Sequence, residues 1–220
     1  MAIDPNRAEH APADPDSVQI AVLTKAPVAG LAKTRLIPAL GAQGAARLHR
    51  QLTLQTLRCA IDARIGPVTL WCAPDARHRF FRALRRSTGI ACRDQCTGDL
   101  GERMHQALRW HCAQGPTLLI GTDCPVLRPA HLRQAARALT EGADAVFIPV
   151  EDGGYMLVGL RRPQPSLFSG MTWSSASVMA ETRSRASTLG LRLRELEPLW
   201  DVDLPADLER LRATVSVNPA

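Results

Sequence analysis

The chain has 220 residues, 45% of them apolar, and carries 27 basic against 21 acidic side chains for a formal charge of +6. That size and composition suit one sizeable core, and no apolar run approaches the roughly 18–20 residues a membrane helix needs. The arginines are spread over segments read as helical, such as 77–86 and 183–194, and aromatic residues make up only 4%, which excludes a convincing nucleic-acid platform and favours a site for an anionic small molecule.

The Pro/Asp/Ala-rich stretch 1–16 lacks the apolar centre of a secretory signal and reads as a disordered tail, so a cytoplasmic location and a domain over 17–214 are expected. In chain order, 18–24 (VQIAVLT) is a first strand and 45–63 an amphipathic helix. Strand 67–73, helix 77–86, the short strand 89–93 and a helix over 100–112 follow. Next come a fully buried strand 117–123 (TLLIGTD), a helix over 129–140, and strands 143–150 and 154–160 joined by the acidic turn EDGG. A helix over 175–189 precedes WDVDLPADLERL, read as a loop ending in a Pro-started helix. Strands alternating with helices predict an α/β domain with a mainly parallel sheet, whose ligands sit beyond the carboxyl ends of the strands. The six cysteines form no CxxC pair and read as small buried hydrophobes.

The loop rule directs attention to the segments after Thr24, Asp123 and Val150. Lys25 and Lys33, the only lysines among the 27 basic residues, share the first of these loops with Gly30, Thr34 and Arg35. Two cations and exposed backbone N–H groups after a strand make a phosphate cradle, although G-x-x-K-T lacks the spacing of a Walker A motif. Asp123 ends a buried strand, where a carboxylate should face a cleft or a hard cation, or else act as a turn former. Glu151 and Asp152 lie on a Gly-Gly turn, and Asp201 and Asp203 share one side of an extended segment. Acidic loops opposite a basic one meet the demand of a Mg²⁺–diphosphate site.

Six stretches, PVAGLAKTRL, QCTGDLGERM, LLIGTDCPVL, EDGGYMLVGL, FSGMTWSSASV and WDVDLPADLERL, together resemble a bacterial family of GT-A-like transferases labelled a domain of unknown function or a glycosyltransferase. That family is similar to 2-phospholactate guanylyltransferase and molybdenum cofactor guanylyltransferase. The resemblance implies a single-domain, Rossmann-like nucleotide-diphospho-sugar transferase fold. It also implies phosphate binding by Lys33, Arg35, Gly30 and Lys25, and a nucleobase near Gln95 and Gly98. Asp123 and Asp203 match metal ligands for Mg²⁺ or Mn²⁺. An acceptor subsite would be lined by Asp152, Gly153, Gly154 and Tyr155, with Glu151 as a general base. Ile148-Pro149 and Tyr155-Met156 depart from the Gly-Pro and Tyr-Tyr of many relatives. The implied reaction is sugar transfer from a nucleotide sugar to a small acceptor, or nucleotidyl transfer from an NTP with pyrophosphate leaving.

Overall fold

The structure is a computed structural model that describes residues 17–217; the expected tail over 1–16 lies outside the described residues. Its centre is a strand with no polar face: β1 (Gln19–Lys25) is buried over its first six residues, because it pairs in parallel with β2 (Val68–Ala73) on one side and β4 (Thr117–Ile120) on the other and is covered by helices on both faces. The sheet extends outward to β3 (Ala91–Asp94) beyond β2, and through β6 (Tyr155–Leu160), β5 (Ala145–Pro149) and β7 (Leu193–Glu195) beyond β4. Only β6 runs against its neighbours, as the EDGG hairpin requires, so the sheet is mainly parallel.

Alternation along the strands divides the core in two. Ile20, Val22, Leu118, Ile120, Val146 and Ile148 face one side, towards α1 (Ile37–Ala63), α2 (Arg79–Thr88) and α4 (Pro129–Thr140). Ala21, Leu23, Trp71, Leu119, Phe147 and Val158 face the other, towards α3 (Leu100–Cys112) and α5 (Val178–Thr188). A third, smaller cluster joins Leu36, Ala45 and Leu52 to Trp200, Val202 and Leu208, so it seats the C-terminal segment against α1.

Local chemistry sets the ends of these elements. Helix α3 begins on a capping box in which Asp99 and Glu102 each accept from the other's backbone N–H at 2.8 Å. Proline at the first turn opens α4. Helices α3 and α4 span the expected residues, whereas several other bounds shift. α1 starts at Ile37 and carries a kink at Gly41, whose φ of 67° and ψ of 163° break the helical path. β4 ends at Ile120, leaving Gly121–Asp123 as loop. The 183–194 stretch is not helical throughout: α5 stops at Thr188 and Arg194 lies in β7, paired in parallel with Val146. Helix α6 (Asp207–Val217) begins two residues after Pro205. All six cysteines are free thiols, with Cys59, Cys72 and Cys124 buried.

Candidate active site

The segment after β1 turns sharply. Leu31 and Ala32 both donate to the Val28 carbonyl, at 3.0 and 3.1 Å, and Ala26 is tied to Ala73 at the end of β2. The turn delivers Lys33 in a left-handed conformation, φ 49° and ψ 46°, unusual for a residue with a side chain and of a kind that clusters at functional sites. Its side chain points inward and is only 3% exposed. The ammonium donates to the Val202 carbonyl, and it stands 2.7 Å from Asp123 Oδ1 and 3.5 Å from Asp203 Oδ1. Arg35, 57% exposed, completes the group with a 2.8 Å contact from Nη1 to Asp203 Oδ2.

Two distant loops supply the acids. Asp123 follows β4, and its carbonyl accepts the Val202 N–H at 2.9 Å, which lays 201–203 alongside the strand end. Val202 is fully buried between two cleft-facing aspartates. Burial pushes the Asp201 carboxyl up to about 6, with repulsion from Asp152, Asp203 and Asp123 adding to the effect and Lys33 opposing it. Lys33 and Arg35 pair with Asp123 and Asp203, and Asp201 has no ion-pair partner of its own among the described residues. His49, on α1, places Nε2 3.0 Å from the Lys25 carbonyl, and burial lowers its basicity.

These groups rim a cleft of about 440 Å³ at the carboxyl ends of β1 and β4. Lys25, Lys33, Arg35, Gln95, Asp123, Tyr155 and Asp203 all line it. Gln95 does so with its amide already committed, since Nε2 donates to the Thr24 and Trp71 carbonyls at 2.9 and 2.8 Å. The other expected site residues are placed elsewhere. Gly30 lies in the turn that shapes the lysine loop. Gly98 serves the α3 cap: at φ 118° a Cβ would stand 1.9 Å from Glu102 Oε2. Gly153, at φ 92°, lets the EDGG turn press on the 176 backbone, where a Cβ would meet the Ala176 carbonyl at 2.1 Å. Asp152 closes the same turn by accepting from Gly154 N–H at 2.9 Å.

Glu151 is exposed and gripped by both Arg210 nitrogens, at 2.6 and 2.9 Å. The guanidinium holds its carboxyl below the ordinary range. A carboxylate so engaged, outside the cleft lining, is poorly placed to take a proton from a substrate there. Sequence reasoning passed over Arg103 and His49, which line the cleft, and did not place Asp201 among the site residues. For Asp201 the signal was present, since the D-x-D spacing sends both carboxylates to one side.

The carboxylates of Asp123, Asp203 and Asp201 face the same cleft, with Lys33 and Arg35 paired to the first two. Among the described residues no three His, Cys, Asp or Glu side chains group so as to hold a metal ion by themselves. Carboxylate oxygens are the ligand type that Mg²⁺ takes when substrate phosphates complete its shell.

The fold has solved counterparts. A "putative nucleotide-diphospho-sugar transferase" from Desulfovibrio desulfuricans G20 matches with a TM-score of 0.83 and 27% identity, over 93% of this chain and 89% of its own. A cytidylyltransferase from Leptospira borgpetersenii serovar Hardjo-bovis (strain JB197) matches with a TM-score of 0.63 and 12% identity, over 93% and 88%. A CMP:2-keto-3-deoxy-manno-octonic acid synthetase complexed with CTP gives 0.59 and 13%, over 91% and 99%. The single-domain nucleotide-diphospho-sugar transferase architecture implied by the resemblance is thus the one observed. No curated protein matches the chain. Residues 56–175, more than half of the sequence, match the model of the family described as "Uncharacterized protein conserved in bacteria (DUF2064)", and the chain belongs to that family.

Proposed function

We propose that the protein is a transferase that binds the diphosphate of a nucleotide donor at the carboxyl ends of β1 and β4 and passes its sugar to a small acceptor. The observation that carries this reading is the buried Lys33 ammonium set between Asp123 and Asp203, with Arg35 exposed beside it. Arg35 and Lys25 present the accessible cations for the donor phosphates. Lys33 holds the two carboxylates in register and contributes positive charge beneath them, a change from the direct phosphate contact expected of it. Asp123 and Asp203 would hold Mg²⁺ or Mn²⁺, whose charge offsets that of the donor phosphates. In sugar transfer the acceptor oxygen bonds to the anomeric carbon and gives up its proton to water or a cleft carboxylate, the bond from that carbon to phosphate oxygen breaks, and the nucleoside diphosphate leaves into the cation-lined end of the cleft.

The Desulfovibrio protein's description, at 27% identity, favours a nucleotide-sugar donor. Nucleotidyl transfer is the second reading, favoured by the cytidylyltransferase and the CTP-bound synthetase that share the fold. There a substrate phosphate would attack the α-phosphorus of an NTP and pyrophosphate would leave past the same cations.

Thermal unfolding with a panel of UDP-, GDP-, dTDP- and CDP-sugars and NTPs, with and without Mg²⁺ or Mn²⁺, tests the reading. A donor at a hundred times its Kd stabilises by about 2.7 kcal/mol. Stabilisation by nucleotide sugars, with nucleoside diphosphate released on adding acceptors, supports sugar transfer, whereas pyrophosphate release from an NTP supports the second reading. A panel in which no nucleotide shifts the transition with metal present refutes both.

A further inference from the structure

The cleft does not end at the carboxylates. It continues onto the α3 face of the sheet, where Leu23, Leu119 and Val158 from three adjacent strands form an apolar floor together with Met104. The wall above that floor carries an anomaly: Arg103 Nε, the Tyr155 hydroxyl and Trp173 Nε1 are shielded from solvent and have no hydrogen-bond partner. Two of them line the cleft and the third stands behind Tyr155. Arg103 lies in the first turns of α3 and lines the cleft, as does Tyr155 at the start of β6. Trp173 stands edge-on to Tyr155 at 6.5 Å, and its indole packs on α3 so closely at Gly101 that a Cβ there would be 3.1 Å from Nε1.

Buried polar atoms are normally paired, and two of these orphans line the cleft. The chemistry of the two narrows what would pair with them. A guanidinium N–H only donates, and a phenol hydroxyl donates readily. The carboxylates next to Arg103 in sequence do not answer it, because Asp99 and Glu102 are committed to each other's backbone in the capping box. The wall therefore asks for an acceptor-rich, negatively charged group, and the floor asks for an apolar body behind it.

We propose that this half of the cleft is the subsite for the acceptor, and that the acceptor is a small organic anion: an apolar body bearing a carboxylate or phosphate that takes hydrogen bonds from Arg103 and Tyr155. The assignment to the acceptor rests on the transferase reading above; the anion preference of the wall does not.

The test uses three probes of matched shape: benzoate, phenyl phosphate and the neutral benzyl alcohol. Their affinities are measured by calorimetry on the full chain and on the Arg103→Met, Tyr155→Phe and Arg35→Met variants. At least one anion should bind tenfold or more tightly than benzyl alcohol, and which one wins tells carboxylate from phosphate. Arg103→Met should erase that preference, and Tyr155→Phe, which keeps the ring against Phe147, should weaken anion binding several-fold. Arg35→Met removes a cation from the donor-phosphate end and is expected to weaken phenyl phosphate only where that probe sits there, while the preference for benzoate over benzyl alcohol survives it. Equal binding of the neutral probe, no binding of any probe, or an anion preference lost with Arg35 rather than Arg103 overturns the proposal. Nucleotide binding is followed on the same samples. Anion selectivity without nucleotide binding sinks the transferase reading while leaving the anion site standing, and nucleotide binding without anion selectivity does the reverse.

Discussion

Replacing Lys33 with methionine keeps the volume of the buried side chain and removes its charge. The ammonium is 3% exposed and neighbours Asp123 Oδ1 at 2.7 Å, Asp203 Oδ1 at 3.5 Å and the Val202 carbonyl. A hydrogen bond to a charged group contributes about 1.5–3 kcal/mol when buried. Asp123 and Asp203 are 45% and 38% exposed, so water can replace part of what they lose and the upper end does not apply. Adding the uncompensated repulsion among the aspartates, a net loss of about 2–3 kcal/mol is expected. For a domain of this size each kcal/mol lowers Tm by about 2–4 °C, giving a drop of about 4–12 °C by calorimetry at neutral pH. The cause is separable from mere poor packing. In Lys33→Met/Asp123→Asn the second substitution removes a charge that no longer has a partner, so the double variant should melt no lower than Lys33→Met alone. A variant that melts within 1 °C of the parent, or a double variant whose losses simply add, refutes the assignment of Lys33 as the counter-ion of the cleft.

Other expectations follow from single contacts. His111 is fully buried, accepts the Trp71 indole N–H at 3.1 Å, and is held neutral with its pKa lowered to about 4, by burial first and then by Arg93. The unfolded chain binds that proton near 6.5, so stability is complete above about pH 6.5 and is lost as pH falls towards 4, by about 3 kcal/mol from this group. His111→Gln should flatten that part of the stability–pH curve measured by urea titration. Gly153→Ala, which drives a Cβ into the Ala176 carbonyl at φ 92°, should cost about 2–4 kcal/mol in the same assay. Glu151→Gln should leave turnover within twofold once a substrate pair is known, since Glu151 faces Arg210 and not the cleft; a loss of a hundredfold would restore it as the general base.

Much of the architecture was legible because the physics is local. Helix α3 has its cap residues and its periodicity in one stretch, α4 has its opening proline, and the buried strands β1 and β4 are continuous apolar runs in a background of Arg-rich helices. β7 was invisible for the opposite reason: Leu193–Glu195 is three residues long, two of them charged, and held to β5 through backbone groups that no side-chain pattern encodes. Residues 37–44 of α1, about two turns, were missed because Gly41 interrupts the helical path. At the site, several of the stretches that carry the resemblance contribute residues to one cleft, but the contacts among them were not legible in sequence. That Lys33 turns inward to carboxylates some 90 and 170 residues away is a tertiary fact. Gly98 illustrates a further limit, because a glycine required by a helix cap looks the same in sequence as one required by a ligand.

The hydrogen bond from Val202 to the Asp123 carbonyl ties the end of the chain to its middle, and that has a bearing on how the protein is made. Strands β1, β2, β3 and β4 are all synthesised before residue 121, and they bring Lys33 and Asp123 to the same sheet edge. Asp201 and Asp203 arrive only with the last twentieth or so of the described chain before α6. The burial that, with the crowding of like charges, lifts Asp201 to about 6 is thus imposed after the rest of the sheet exists to hold it. A ribosome-bound chain stalled, or a protein clipped, between β6 and Trp200 would carry most of the sheet and half of the cleft while lacking the two acids that close it.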